Sequence, residues 1–304
     1  MKTCSWPIAL LALGISTQTP AQTPTPTETL RLCTGSPGKT YNAVGQKLAE
    51  LIPAMAGGAL SVEVVATGGS IDNLNKLVAG ECDGAIVQGD AIDFFTTQIN
   101  PDAAGRFRMV TPLYQELSLL LCSRRSGVND IEDLLDTEDA SVAAGAMGSG
   151  SLATWLTFRS INAKYEQVRV VPKNGAEGAM AVANDEASCV FEVIAPQSDF
   201  IQALNDNESI ADKLGFAEVD DGFDGYELDG KQIYTRVTFD DEKYDNLSGW
   251  GDPELIAITA YLVVSEAWAS THSSGMSALT MTLLTGKADV EKVAYGSGGK
   301  PFSE

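Results

Sequence analysis

Four short clusters of glycine, hydroxyl and amide residues carry the chemistry that can be read in this chain. They are Gly35-Ser36-Pro37-Gly38-Lys39-Thr40-Tyr41, Thr67-Gly68-Gly69-Ser70, Gln88-Gly89-Asp90 and Gly148-Ser149-Gly150-Ser151. Glycine lets backbone approach a ligand closely, and a helix start aims free N–H groups and partial positive charge at it. Serine and threonine hydroxyls add hydrogen bonds of either polarity. Such loops suit a carboxylate, and any one of them taken alone is also an ordinary helix cap or turn.

Catalytic readings of the same residues fail on their spacing. The run from Cys33 to Thr40 resembles a phosphate-binding P-loop, but Cys33 stands where the first glycine is required. Residues 145–150 have their glycines in the wrong order for a dinucleotide fingerprint. The single histidine, His272, lies among serines and threonines, and no serine sits in a Gly-x-Ser-x-Gly elbow. A calcium loop starting at Asp220 has Gly222 and Lys231 at ligand positions. Paired carboxylates for glycoside chemistry are available among 41 acidic residues, without an aromatic-rich cleft signature. The sequence predicts no enzyme, metal or cofactor.

The elements that must hold these loops follow a repeating pattern. A strand over residues 30–34 enters the first loop, and Val44, Leu48, Leu51 and Ile52 mark a helix after it. A strand over 61–66 enters the second loop before a helix bearing Ile71, Leu74, Leu77 and Val78. A third strand over 84–88 ends at Gly89-Asp90. Strand, loop and helix in series predict a parallel sheet with helical crossovers, whose ligands bind beyond the carboxyl ends of the strands. From Tyr114 an apolar run over 117–122 marks the crossing into a second lobe. That lobe has strands over 140–144, 168–171 and 188–194, and a helix through Leu152, Trp155, Leu156 and Ile161. The segment 255–264 reads as a strand returning to the first lobe. The predicted division is 1–21 signal peptide, 22–29 flexible lead-in, 30–114 plus 250–304 lobe one, and 115–249 lobe two.

The signal reading rests on Lys2, the apolar run 8–15 and small residues at Thr19 and Ala21. It predicts an exported, periplasmic protein without a lipid anchor, since neither Cys4 nor Cys33 follows the pattern of a lipidated cysteine. A formal charge of −21 leaves no clustered cations for phosphate neutralisation, so no nucleic-acid partner is expected. Cys33, Cys82, Cys122 and Cys189 remain after processing, in a compartment that permits disulfides. Three connectivities exist for two bridges, of which Cys122 with Cys189 is preferred because both lie in strand-like runs of lobe two; free buried cysteines are the alternative.

The runs 34–41 and 67–74, followed by Gln88-Gly89-Asp90, together resemble the TAXI family of solute receptors, which serve TRAP transporters. The resemblance covers residues 30–204 in order, including Gly148-Ser149-Gly150, and loosely the remainder. It implies an α/β, two-lobe periplasmic binding protein fold of type II-like topology, with two parallel or mixed sheets and two hinge crossings. It further implies a cleft that closes on a small organic acid or amino acid, glutamate-like or dicarboxylate, for delivery to a cation-coupled TRAP membrane permease. By matching positions the ligand residues are Ser36, Lys39, Tyr41, Ser70, Gln88 and Asp90, with Ser149 and Ser151 closing from lobe two. Glu192, near a strand end, is the candidate for receiving a ligand amine. Lys39 departs from the family, which usually has glycine there, as does Gly89, where serine is common. The alternatives are a receptor of related fold for another transporter class, such as thiamine-precursor-like or sulfonate solutes, a sensory ligand-binding protein, and a secreted hydrolase.

Overall fold

The computed structural model describes residues 28–228, 230–247, 251–300 and 302–303. The predicted signal peptide and most of the predicted lead-in lie outside them.

The first half of the chain alternates as its pattern requires. Strand β1 (Glu28–Cys33), helix α1 (Thr40–Met55), β2 (Leu60–Val65), α2 (Ser70–Ala79), β3 (Gly84–Gln88) and α3 (Gly89–Phe94) form the β2-β1-β3 parallel sheet with its crossovers. α1 buries Tyr41, Val44, Gly45, Leu48 and Ile52, a stripe at helical spacing that faces the sheet. The chain then runs straight through β4 (Phe107–Ser123).

Beyond β4 come α4 (Asp133–Asp136), β5 (Ser141–Ala143), α5 (Gly150–Ile161), β6 (Arg169–Val171), α6 (Gly175–Ala183) and β7 (Cys189–Ile194). They are followed by α7 (Asp199–Asn205), α8 (Glu208–Ala211), β8 (Leu214–Ala217), a small hairpin of β9 (Glu227–Leu228) and β10 (Lys231–Gln232), and β11 (Tyr234–Phe239). The return is β12 (Glu254–Ser265), then α9 (Glu266–Thr271), α10 (Ser273–Thr285), α11 (Lys287–Tyr295) and the short β13 (Phe302–Ser303). His272 falls between α9 and α10 and stacks on Trp268.

Two long strands join the lobes. β12 pairs antiparallel with β3 over Ala260–Val264 and with β4 over Ala257–Ser265, and its first residues pair with β11. The far half of β4 pairs with β7 and β8, and β7 carries β5 and β6 beyond it. The sheets of the two lobes are therefore continuous through β4 and β12, in the order β2-β1-β3-β12-β4-β7-β5-β6. β4 is much longer than the apolar run at 117–122 implies, because its first half is only partly covered.

The lobe beyond β4 is held by an aromatic cluster. Trp155 and Phe158 of α5 meet Tyr165, Phe191, Phe223 and Tyr234, with Phe158 stacked on Phe223 at 3.9 Å between centroids. Each such ring contributes on the order of 2 to 3 kcal/mol by leaving water. Cys122 and Cys189, cross-strand neighbours on β4 and β7, form one disulfide, and Cys33 and Cys82 form another.

Candidate functional site

The loops after β1, β2 and β3 are drawn together by one buried side chain. Asn73 on α2 donates its amide to the Thr34 carbonyl at 2.6 Å and to the Ile86 carbonyl at 2.7 Å, and its own oxygen accepts from Thr67. Thr67 in turn donates to the Thr34 carbonyl at 2.8 Å. Three strand ends are thus pinned to the start of α2, and Ser70 is carried to a fixed place between them. Gly69, with φ of 123°, makes the turn into that helix in a conformation closed to other residues.

The second lobe approaches this point with the start of α5. Ser149 caps α5 by accepting from the Leu152 N–H, and the Gly148 carbonyl accepts from the Asp72 N–H at 3.4 Å across the lobes. Gly150 lies so close to Ser70 and Gln88 that a Cβ there would overlap the Gln88 carboxamide. Ala153, one turn further along, is buried in the apolar cluster of the first lobe beside Ile71, Val87 and Ala91.

A cavity of about 130 Å³ lies where the loops meet. Ser36, Lys39 and Tyr41 line it from the first loop and α1, Ser70 and Gln88 from α2 and β3, Ser149 and Ser151 from α5, and Glu192 from β7. Eight of the nine residues expected from sequence thus share one space. Asp90 does not line it, because α3 turns its side chain into the contact between the lobes. There its Oδ2 accepts from the Thr154 hydroxyl at 2.6 Å and from the Tyr234 hydroxyl at 3.0 Å, and Oδ1 is buried with no donor among the described residues. Burial, opposed by those hydrogen bonds, pushes the Asp90 carboxyl up to about 6.

Sequence reasoning missed Glu116, which also lines the cavity. It lies on β4, paired with Ile258 of β12, where the two joining strands run side by side. Its Oε2 accepts from the Tyr41 hydroxyl at 2.8 Å, and Tyr41 is linked to Ser70 at 3.3 Å, which donates to the Gln88 Oε1 at 3.3 Å. Burial pushes Glu116 up to about 8, against the Tyr41 hydrogen bond and with some help from the charge of Asp90. Glu192 is also raised by burial, opposed by the Gly175 N–H, the charge of Lys39 and the Ser151 hydroxyl. Its oxygens accept from Gly175 and Ser151. Lys39 is exposed, reaches across to the face of Phe200 on α7 at 5.6 Å, and supplies the positive charge of the cavity lining.

The polar groups are therefore sorted by position. Lys39 and the starts of α1, α2 and α5 present positive charge and N–H groups, while Glu116, Glu192 and Gln88 present oxygen. This arrangement can orient a small polar solute through a few directed contacts, as is usual for such sites.

Among solved structures the chain is similar to a protein of Listeria monocytogenes assigned as an L-cystine ABC transporter, with a TM-score of 0.55, 13% identity, and coverage of 90% of this chain and 98% of that one. It is similar to the GluR0 ligand-binding core of Nostoc punctiforme in complex with L-glutamate, with a TM-score of 0.51, 12% identity, and coverage of 88% and 99%. It is likewise similar to the arginine-, lysine- and histidine-binding protein ArtJ of Geobacillus stearothermophilus, with a TM-score of 0.51, 11% identity, and coverage of 89% and 96%. At these identities the likeness concerns the fold, which is the two-lobe periplasmic binding protein fold. No functionally curated protein matches the chain by sequence. Residues 32–271 match the model of the NMT1-like family, and over that span, most of its length, the chain belongs to the NMT1-like family.

Proposed function

We propose that this protein is an extracytoplasmic solute receptor that closes around a small carboxylate and delivers it to a membrane permease, without chemical conversion. The observation that carries this reading is the cavity itself: loops from both lobes converge on it, at the carboxyl ends of the strands, with strands β4 and β12 beneath as the hinge. We place lobe one at residues 30–114 plus 250–304 and lobe two at 115–249. The solute-contacting residues are Ser36, Lys39, Tyr41, Ser70, Gln88, Ser149, Ser151 and Glu192. The similar structures bind amino acids or belong to amino-acid transport, which favours a glutamate-like amino acid or a dicarboxylate.

The transporter class proposed is the TAXI type of TRAP system, on the loop sequences that resemble it. A second reading, a receptor for an ABC transporter, draws on the Listeria and sulfonate-binding neighbours, the latter an SsuA protein of Methylobacillus flagellatus. Residues 1–21 fit a signal peptide, and we infer a periplasmic location.

Two experiments test these points. Isothermal titration of Ser70→Ala and Ser149→Ala against the wild-type solute should show affinity lost at least tenfold in each; unchanged affinity in both would displace the site. Solute uptake into membrane vesicles supplied with the receptor should survive ATP depletion and stop when the cation gradients are dissipated. The opposite pattern would select the ABC reading.

A further inference from the structure

The cavity holds a polarity that the sequence does not predict. Tyr41 gives its hydroxyl proton to Glu116, so toward Ser70 and the cavity it offers lone pairs. Ser70 receives the Gln88 backbone N–H at 3.2 Å, and its one proton is shared between the Tyr41 oxygen and the Gln88 Oε1, both at 3.3 Å. The floor of the cavity thus carries a row of oxygens that ends at Glu116. Glu116 is 3% exposed and lines the cavity, and the Tyr41 hydroxyl donates to its Oε2. The donors of the lining are Lys39 and the uncapped starts of α1 and α2. An anion is served there, and a solute nitrogen is served at the floor.

We propose that Glu116 is the specificity-determining residue of the cavity: its carboxyl receives a protonated nitrogen of the solute, so the site selects a carboxylate that also carries an ammonium over one that does not. This inference rests on the receptor reading above and narrows its solute class. A dicarboxylate without nitrogen finds Lys39 as the one cationic side chain lining the cavity among the described residues, and it brings no positive charge to take the place of the proton on Glu116. An ammonium beside Glu116 would offset its desolvation, as an opposite charge within about 4 to 6 Å does. The titratable and charged groups around Glu116 are Tyr41 and Lys39 near the start of α1, Asp90 on α3, Tyr114 on its own strand and Glu192 on β7. With Glu116 raised to about 8, the free receptor holds a proton there at neutral pH, and an arriving ammonium expels it.

The test compares L-glutamate with 2-oxoglutarate, which share a carbon frame and differ at the amine, by titration calorimetry on the mature protein at pH 7. Wild type should bind L-glutamate at least tenfold more tightly. Its binding enthalpy, measured in buffers of different ionisation enthalpy, should report proton release. In E116Q, which preserves the bond from Tyr41, the preference should shrink at least tenfold and the proton release should disappear. A wild-type preference of unity or for 2-oxoglutarate, or proton uptake with L-glutamate, overturns the proposal and needs no variant to be seen. So does a folded E116Q with unchanged preference. If neither compound, nor L-glutamine, binds wild type at all, the small-carboxylate reading itself has failed, and this inference falls with it.

Discussion

Replacing Asp90 by asparagine should stabilise the protein at high pH and leave it nearly unchanged at low pH. The buried carboxyl is raised from its ordinary 3.8 to about 6. Each pKa unit corresponds to about 1.4 kcal/mol of difference between protonation states, so the shift is worth about 3 kcal/mol. Because the folded value is the higher one, the folded state binds the proton more tightly than the unfolded chain. The associated stability is fully present below about pH 4, is lost as pH rises toward 6, and stays lost above it. Asparagine has no such ionisation and can still accept from Thr154 and Tyr234 through its carbonyl oxygen. Urea unfolding of wild type and Asp90→Asn, from pH 4 to pH 8 in steps, should give curves that diverge by up to about 3 kcal/mol, with the variant the more stable at pH 8. Glu116 adds its own slope to both proteins, somewhat less in the variant because the charge of Asp90 helps to raise it. Parallel curves, or a variant less stable at pH 8 than wild type, would refute the picture of a desolvated Asp90 clasped between the lobes.

Gly150→Ala should weaken solute binding at least tenfold and lower the melting temperature of the solute-free protein, since the added methyl overlaps the buried Gln88 carboxamide across the contact between the lobes; titration calorimetry and thermal unfolding check the two halves. Removing the Cys122–Cys189 bridge by paired alanine substitution should cost about 4 kcal/mol in the chain-entropy account for a closed loop of 67 residues, read as a lower urea midpoint. Trp155→Ala should cost about 3 to 5 kcal/mol by urea unfolding, as the ring is fully buried against Tyr165 and Phe191.

Where sequence pattern and local physics coincide, the elements were legible. The third strand is expected over residues 84–88 and found at Gly84–Gln88, because a continuous apolar run bounded by glycines has one reading. The loop residues at Ser36, Tyr41, Ser70, Gln88, Ser149 and Ser151 were visible because glycine and hydroxyl residues cluster at strand ends, and the structure brings all six to one cavity. Asp90 looked equivalent to them, since an acid in the first turn of a helix suits any such loop. What decides its direction is Thr154 and Tyr234, which lie 64 and 144 residues further along the chain. The first half of β4 was hidden by Arg108, the exposed Met109 and Pro112, which break any alternation. Glu116 was hidden with it. Its one local signal is an acid standing directly before the mainly apolar run Leu117, Leu119, Leu120 and Leu121, at the point where the chain was expected to cross between lobes. A charge on a crossing strand faces the cleft, but among 41 acidic residues that signal becomes specific only once the strand pairing is known.

Capture of a small solute by the cavity is the central claim. Thermal unfolding of the ligand-stripped mature protein against amino acids, organic acids, sulfonates and sugars tests this directly, because a solute at 100 times its Kd adds about 2.7 kcal/mol to the folded state. The prediction is a raised melting temperature confined to small carboxylates, strongest for those bearing an ammonium, and clearly reduced in Ser70→Ala. A shift for sugars or for nothing in the set, or a carboxylate shift that survives unchanged in Ser70→Ala, would contradict it.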